Sequence, residues 1–279
     1  MIRIIADSST MYSPRDAKEK GFDVAPLTVT INGESYRELD EISGEEFVQK
    51  VRDGHMPKSS QPSVGEVLAL YDQYRDDEIL NISMADGLSG TYSSAVAAAQ
   101  QSRNTKGITV LNTRTLCGPH RYLAEVASKL AASGWTKEKI IERLEEMMKN
   151  CKSFLLPNDF DFLRRGGRLS PLVSFVGKTI KLAPVLTQSA DGCQLVMASV
   201  KRSFKQAVSF VGKTLEEFGV GDGWRVYITH ADDIGLAERA REMLLTLFPK
   251  AIFETHHLTP AFVTQGGPGC VAIQAIKGE

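Results

Sequence analysis

Short apolar runs alternate with amphipathic stretches along most of this chain. Ile2–Ala6 is an Ile-rich run that stops at Asp7-Ser8-Ser9-Thr10, a cluster of turn and capping residues. That pattern predicts a buried first strand whose C-terminal end delivers polar groups to a loop. Asp23–Ile31 predicts a second extended segment, closed by the strong turn signal Asn32-Gly33. Ser43-Gly44-Glu45-Glu46 has the form of a capping box, and Phe47, Val48 and Val51 supply the apolar face of the helix behind it. Ser63 with Glu66 repeats the box ahead of a helix over Val64–Tyr74, with Val67, Leu68, Leu70 and Tyr71 inward. A strand over Glu78–Met84 leads through the Gly/Ser turn Asp86–Gly90 into an alanine-rich helix, Thr91–Gln101. A strand at Ile108–Leu111 and helices over Pro119–Ala132 and Thr136–Lys149 follow. Strands alternating with helices imply a parallel sheet covered on both faces.

The pattern changes near Cys151. Lys152–Leu156 reads as a strand, followed by Asp159–Leu163 and the basic, Gly-rich turn Arg164-Arg165-Gly166-Gly167-Arg168. Leu182–Thr187 and Gln194–Val200 read as a hairpin around Asp191-Gly192. A helix (Phe204–Phe218), a strand (Arg225–Thr229), a helix (Ile234–Leu247) and a strand (Ile252–Leu258) come next. The last strand, Val271–Ile276, lies beyond Gln265-Gly266-Gly267-Pro268-Gly269. A hairpin set among alternating strands and helices implies a mixed sheet. A domain boundary is therefore expected around residues 150–160, dividing the chain into 1–155 and 156–279.

Composition sharpens this picture by exclusion. A chain of 279 residues suits two compact domains. Hydrophobic residues at 42% and charged residues at 24% describe an ordinary globular chain with an ample core. Lys+Arg is 33 against Asp+Glu at 34, a net charge of -1, so no global basic field exists for nucleic acid. The local basic cluster is Arg164–Arg168, which also reads as a docking patch for an acidic partner. No apolar run approaches the roughly 20 residues of a membrane helix. The N-terminus turns acidic at Asp7 and shows no signal-peptide core. The cysteines, Cys117, Cys151, Cys193 and Cys270, are scattered without a C-x-x-C pair. A cytoplasmic protein with at most peripheral membrane contact, without a metal site, is the resulting expectation.

Four segments carry candidate chemistry. Asp86-Gly87-Leu88-Ser89-Gly90-Thr91-Tyr92 joins a strand to a helix. The first N–H groups of a helix lack intrahelical partners and sit in the positive end of its dipole, so the segment reads as a small-anion site for a carboxylate or phosphate. It reads equally as an ordinary Ser N-cap with a Gly turn. Pro57-Lys58-Ser59-Ser60-Gln61-Pro62-Ser63 offers two hydroxyls and an amide in what reads as a proline-stiffened loop. Arg168 follows two glycines and either pairs with an anion or belongs to a solvated basic turn. Thr264–Gly269 suits a close backbone approach, or is a plain connecting loop.

Taken in order, these segments resemble the DegV family of bacterial fatty-acid-binding proteins. The family's opening Asp-Ser-Ser matches Asp7-Ser8-Ser9, and its Thr-Ser-Gln-Pro-Ser loop matches Ser59-Ser60-Gln61-Pro62-Ser63 with Ser in place of Thr. Leu-Ser-Gly-Thr-Tyr is intact at Leu88–Tyr92, and Leu-x-x-Gly-Gly-Arg is intact at Leu163–Arg168. The terminal His-x-Gly-Pro-Gly appears as Gln265-Gly266-Gly267-Pro268-Gly269. The resemblance implies a three-layer α/β/α domain on a parallel sheet, a second α/β domain on a mixed sheet, and a long-chain fatty acid bound between them. It implies a carboxylate site at Ser59, Ser60, Ser89 and Gly90 in the first domain, faced by Gln265 and Gly266. It also implies a partner, a fatty acid kinase related to dihydroxyacetone kinases, which makes the acyl phosphate, with Arg168 at the handover. On this reading the chain presents a ligand, makes no bonds itself and needs no cofactor. The chain departs from the family at Gln265, where His is usual, and at Gly266, often Thr. A His can carry charge or shuttle a proton, whereas a Gln amide only donates and accepts hydrogen bonds. The departure therefore bears on the kinase-coupled step more than on carboxylate binding.

The rival class is a hydrolase or transferase using Ser89. It would need a His base and an orienting acid, and no Gly-x-Ser-x-Gly elbow is present. His256 and His257 adjoin on a predicted strand, so they point to opposite sides. His230 ends a predicted strand, either at a site or as a surface or interdomain residue. Asp7 reads as an acceptor for the Ser9 and Thr10 N–H groups in a turn, or as a metal ligand or acid. A dinucleotide fingerprint is missing after the first strand.

Overall fold

The computed structural model describes residues 1–169 and 182–278. The chain opens with β1 (Ile2–Asp7), α1 (Pro14–Glu19), β2 (Asp23–Ala25), β3 (Thr28–Ile31), β4 (Glu34–Arg37), α2 (Gly44–Arg52) and β5 (Lys58–Ser60). It continues through α3 (Val64–Asp72), β6 (Glu78–Ser83), α4 (Thr91–Gln101), β7 (Ile108–Asn112), α5 (Cys117–Ala132) and α6 (Lys137–Met148). The second half contains β8 (Cys151–Leu156), α7 (Phe160–Gly166), β9 (Ala183–Gln188), β10 (Leu195–Lys201) and α8 (Phe204–Glu217). It ends with β11 (Trp224–His230), α9 (Ile234–Leu247), β12 (Ile252–His257), α10 (Pro260–Gly266) and β13 (Val271–Lys277).

A four-stranded sheet, β2-β1-β6-β7, is parallel throughout. Side chains alternate across a strand, and β1 uses both faces. Ile4 and Ala6 pack with Leu80 and Ile82 against Leu123 and Val126 of α5 and Ile140 and Leu144 of α6. Ile5 and Ile79 face the other way, onto Val67 and Tyr71 of α3 and Ala95 and Ala98 of α4. This is the expected three-layer arrangement. A six-stranded sheet, β10-β9-β8-β13-β11-β12, is mixed: β11 and β12 are parallel and the other pairs antiparallel. Val208, Val211 and Leu215 of α8 and Ala237, Ala240 and Leu244 of α9 cover one face of it. A third, antiparallel sheet of three short strands, β4-β3-β5, lies beside the junction.

The uncovered face of the mixed sheet is closed by the first half of the chain. Tyr227 of β11 and Ile276 of β13 join the core formed by α5 and α6. A helix buried on most sides must be apolar on most sides, and 11 of the 16 residues of α5 are buried. Its second residue is Gly118, where an added Cβ would lie 2.1 Å from Tyr227 Cγ. Gln274 of β13 ties the same helix start by polar contacts. Its Oε1 accepts the Gly118 N–H at 3.1 Å, and its Nε2 donates to the Leu116 carbonyl and to Ser153 Oγ.

Four local readings change. Asp23–Ile31 is not one extended segment: β2 and β3 belong to different sheets. Pro26 between them has no N–H for a ladder and restricts the residue before it. Lys58–Ser60 is a strand, not a loop, with Ser59 paired to Val29; its all-polar sequence hid it. Asp159 caps α7, which runs through Arg164 and Arg165 to end at Gly167 with φ +71°. What read as a basic turn is thus the last turn of a helix. Thr264, Gln265 and Gly266 likewise sit in α10, so the connecting loop begins only at Gly267. The turns at Asn32-Gly33 (φ +52° and +81°) and around Gly192 (φ +76°) sit between paired strands, as their sequences require.

The Gly118 contact is testable. Gly118→Ala drives a methyl into the root of the Tyr227 side chain, which cannot swing aside. A loss of about 2 kcal/mol or more is expected from overpacking, read as a lower midpoint in urea unfolding with an unchanged slope.

Candidate functional site

A pocket opens where β5, the Leu88–Ser89 turn, Arg168, α10 and residues of β8, β9, β10 and β13 meet. Ser59, Ser60, Gln61, Ser89, Arg168 and Gln265 bring polar groups to it, and Ser153, Thr187, Gln188 and Gln274 of the mixed sheet add more. Leu27, Met84, Leu88, Leu116, Leu155, Leu258 and Phe262 make its walls largely hydrocarbon. The cavity volume is about 100 Å3, below the range of about 300–1,000 Å3 usual for small-ligand sites, so a long ligand needs the walls to part. Cys117 also faces in, and burial pushes its thiol well above the ordinary range, so it behaves as a small apolar group.

Each polar group is placed by an identifiable local cause. Ser59 is held in register by its pairing with Val29. Gln265, in the last turn of α10, reaches back so that its Nε2 donates to Ser59 Oγ at 3.2 Å. The Gln265 Oε1 is buried without a hydrogen-bond partner. It lies against Gly166, where an added Cβ would be 1.9 Å away. Ser89 Oγ pairs with Thr91 Oγ1 at 2.8 Å and accepts the Thr91 N–H at 3.3 Å. Gly90 is the N-cap of α4 and provides no side-chain cap. Its backbone is ordinary (φ −73°), so no left-handed conformation requires glycine there. A Cβ would meet the Gln61 amide at 3.1 Å.

Of the expected binding residues, Ser59, Ser60, Ser89, Gln265 and Gly266 line this one pocket, while Gly90 lies behind Gln61. Arg168 lines it too, but its Nε donates to the Leu88 carbonyl at 3.2 Å and its Nη1 to the Gly166 carbonyl. It stitches the two halves at the mouth and borders an outer groove with Lys58 and Arg165. Sequence reasoning missed Gln61, Cys117, Ser153 and Gln274. Gln61 lay inside a motif already singled out, whereas Ser153 and Gln274 sit on strands with no motif around them.

The histidines stand apart from the pocket walls. His230 is buried at the domain junction, its ring 4.3 Å from that of His257. Desolvation, reinforced by the neighbouring imidazole, lowers its pKa. His256 turns the other way, to Glu254 at 3.2 Å and the Tyr227 ring. His120 hydrogen-bonds Ser9 Oγ at 2.6 Å through Nδ1 and the Ile82 carbonyl at 2.9 Å through Nε2. A carbonyl only accepts, so Nε2 carries a proton. That pair is fully buried and contributes nothing to the pocket lining. Ser89 thus has no base beside it of the kind a serine hydrolase requires. Asp7 is a structural acceptor with a different partner set from that expected. It takes the Ser9 N–H and the Met84 N–H, while Thr10 is held through its hydroxyl to the Asp7 carbonyl. Among the described residues no group of three His, Cys, Asp or Glu side chains is placed to hold a metal ion. Nor is any helix among them long and apolar enough to cross a membrane.

The fold and pocket define a two-domain α/β protein with an apolar, polar-mouthed cavity at its domain junction. Residues 1–278 match the family model described as an uncharacterised protein of the DegV family, and the chain belongs to that family. It is 31% identical to the protein DegV of Bacillus subtilis over 278 residues, covering 98% of each chain. Its fold is similar to the crystal structure of DegV from Bacillus subtilis, described as a fatty acid binding protein, with a TM-score of 0.87, 29% identity and 99% of both chains covered. It is similar also to a DegV family protein from Thermus thermophilus described by its fatty acid binding, with a TM-score of 0.88, 27% identity and 99% of both chains covered.

The contact between Gly166 and Gln265 yields a separable prediction. Gly166→Ala should leave thermal stability unchanged or slightly raised, because Ala favours a helix over Gly by about 0.5–1 kcal/mol. It should nonetheless displace the Gln265 amide from Ser59, visible as a shift of the Gln265 side-chain NH2 resonances. Unmoved resonances would mean that Gly166 does not shape this corner.

Proposed function

We propose that this chain binds a long-chain fatty acid between its two domains, with the carboxylate at the pocket mouth and the acyl chain along the hydrocarbon walls. One observation carries the reading. Ser59, Ser60, Ser89 and Gln265, drawn from segments far apart in sequence, converge on one pocket whose remaining lining is mostly apolar. The fatty acid binding described for the related proteins from Bacillus subtilis and Thermus thermophilus supports it. In this reading Ser59 and Ser89 donate to the carboxylate, the uncapped start of α4 behind Gly90 adds positive potential, and Gly266 lets the chain pass close to α10. We place the division of the chain just ahead of β8, because every residue of that strand belongs to the mixed sheet.

Presentation to a partner kinase is the second part of the proposal. Arg168, Lys58 and Arg165 border the groove outside the mouth, where an acidic or phosphorylated group would approach. Scattered free cysteines fit a cytoplasmic setting for that exchange.

Native mass spectrometry of protein purified from a bacterial host tests the ligand. A copurifying mass near that of a C16–C18 acid is expected; an apo mass that persists after adding palmitate would reject the reading. Ser59→Ala and Ser89→Ala should each weaken palmitate binding by about 10–150-fold, the equivalent of one hydrogen bond to a charged group at about 1.5–3 kcal/mol. Titration calorimetry reads this directly, and unaltered affinity in both variants would place the head group elsewhere.

A further inference from the structure

Directly behind the pocket wall lies a carboxylate that the ligand-binding residues do not use. Glu38 follows β4 and is completely buried. Its Oε1 accepts the Ser8 hydroxyl at 2.5 Å, and its Oε2 accepts the Ala261 N–H at 2.7 Å. Ser8 Oγ in turn accepts the Leu27 N–H at 2.8 Å, and the Glu38 N–H donates to the Leu27 carbonyl at 2.9 Å. Leu27 and Ala261 both line the pocket, one from each half of the chain. Ala261 belongs to α10, the element that carries Gln265 to Ser59. Ser59 sits on β5, which shares a sheet with the strand leading into Glu38. One side chain therefore joins the first-strand loop, the hydroxyl-bearing sheet and the helix bearing Gln265.

We infer that Glu38 is a positioning residue that latches α10 against the first domain, holding the ligand-facing wall shut, and that ionisation of its carboxyl loosens this latch. The inference rests on the proposed fatty acid site and adds to it a control of ligand release. Complete burial opposes a charge on Glu38. Asp7 lies close on β1 and repels a second negative charge. Cys117 of α5 faces it as a neutral thiol, with Cys270 behind it also kept neutral by burial. His120 is one step further away, committed to Ser9 and Ile82. Thr259, the residue before α10, acts on the same carboxyl together with Ser8 and Ala261 and favours its charged form. Burial outweighs the hydrogen bonds from Ser8 and Ala261 and pushes the Glu38 pKa up to about 7.

The sign follows from linkage. A carboxyl whose pKa is higher in the closed state than when hydrated favours closure at low pH, and that preference is lost as pH rises through the closed-state value. Opening of α10 should become easier by about tenfold between about pH 6 and about pH 8.5. Two readouts test this on the full chain. Hydrogen exchange at the Ala261 amide of the free protein, corrected for intrinsic rate, reports the latch without any ligand. Stopped-flow release of palmitate reports its effect on binding. Wild type should show the rising pH profile in both. Glu38→Gln, which keeps an acceptor for Ala261 and cannot ionise, should bind palmitate with a flat profile. Glu38→Ala or Ser8→Ala should raise exchange at Ala261 and release palmitate more than tenfold faster across the pH range. Identical pH slopes for wild type and Glu38→Gln at the Ala261 amide would overturn the latch. Failure of wild type to bind palmitate, with the exchange profile as expected, would instead overturn the ligand and leave the latch standing.

Discussion

The close approach of Tyr227 to Gly118 is the constraint on which the rest of the molecule depends. A pocket whose walls come from two domains exists only if the domains keep a fixed separation, and side chains alone set that distance loosely. Here the backbone at the start of α5 meets an aromatic ring on the mixed sheet with no Cβ between them. Gln274 fixes the same point by accepting the Gly118 N–H and donating to the Leu116 carbonyl. Leu116 and Cys117, immediately before this anchor, then become pocket wall. The junction is thus rigid at one end, near β13, and closed by hydrogen bonds at the other, near α10. Motion of α10 relative to that anchor is the economical way to admit a ligand, because it leaves the two domain cores packed.

Energetics divide the work between the two ends of such a ligand. Each buried methylene contributes about 0.8 kcal/mol before binding costs, so a long acyl chain supplies most of the affinity. Each hydrogen bond from a neutral donor to the carboxylate adds about 1.5–3 kcal/mol and fixes orientation. Hydrocarbon walls tolerate many chains, and a few hydroxyls select for acids. On the proposed reading, selectivity for the head resides in few residues, of which Ser59 is held by a strand pairing and Ser89 by a helix start.

Periodicity exposed the cores more readily than the site. The apolar run Ile4-Ile5-Ala6 pointed to a buried strand, and the capping residues Ser43 and Ser63 each hold a helix start. Asn32-Gly33 marked its hairpin because two successive positive φ angles leave few alternatives. Ordered motifs singled out Ser59, Ser89, Arg168 and Gln265 as site residues, yet not the elements that carry them. Lys-Ser-Ser has no strand propensity and becomes β5 only because β3 offers an open edge. Gly166 and Gly267 suggested loops, but each closes a short helix held by tertiary contacts. Glu38 was invisible for a related reason. A glutamate between arginine and leucine in a polar stretch looks solvated, and only the return of residues 259–261 from the far end of the chain buries it.

Gln265 shows how far the family's usual histidine can be replaced. With Nε2 donating to Ser59 Oγ, the lone pair of that hydroxyl is occupied and its own proton is free to point at a carboxylate. A neutral imidazole N–H would act on Ser59 in the same way, so this part of the chemistry survives the exchange. The two side chains differ in charge. An imidazolium would add a cation beside the bound acid and hold a proton ready for a leaving oxygen; an amide does neither. Among the described residues, the cationic groups bordering the mouth and its outer groove are then Arg168, Lys58 and Arg165, and Arg168 is already committed to the Leu88 and Gly166 carbonyls. A carboxylate in this pocket would be held chiefly by neutral donors and the start of α4.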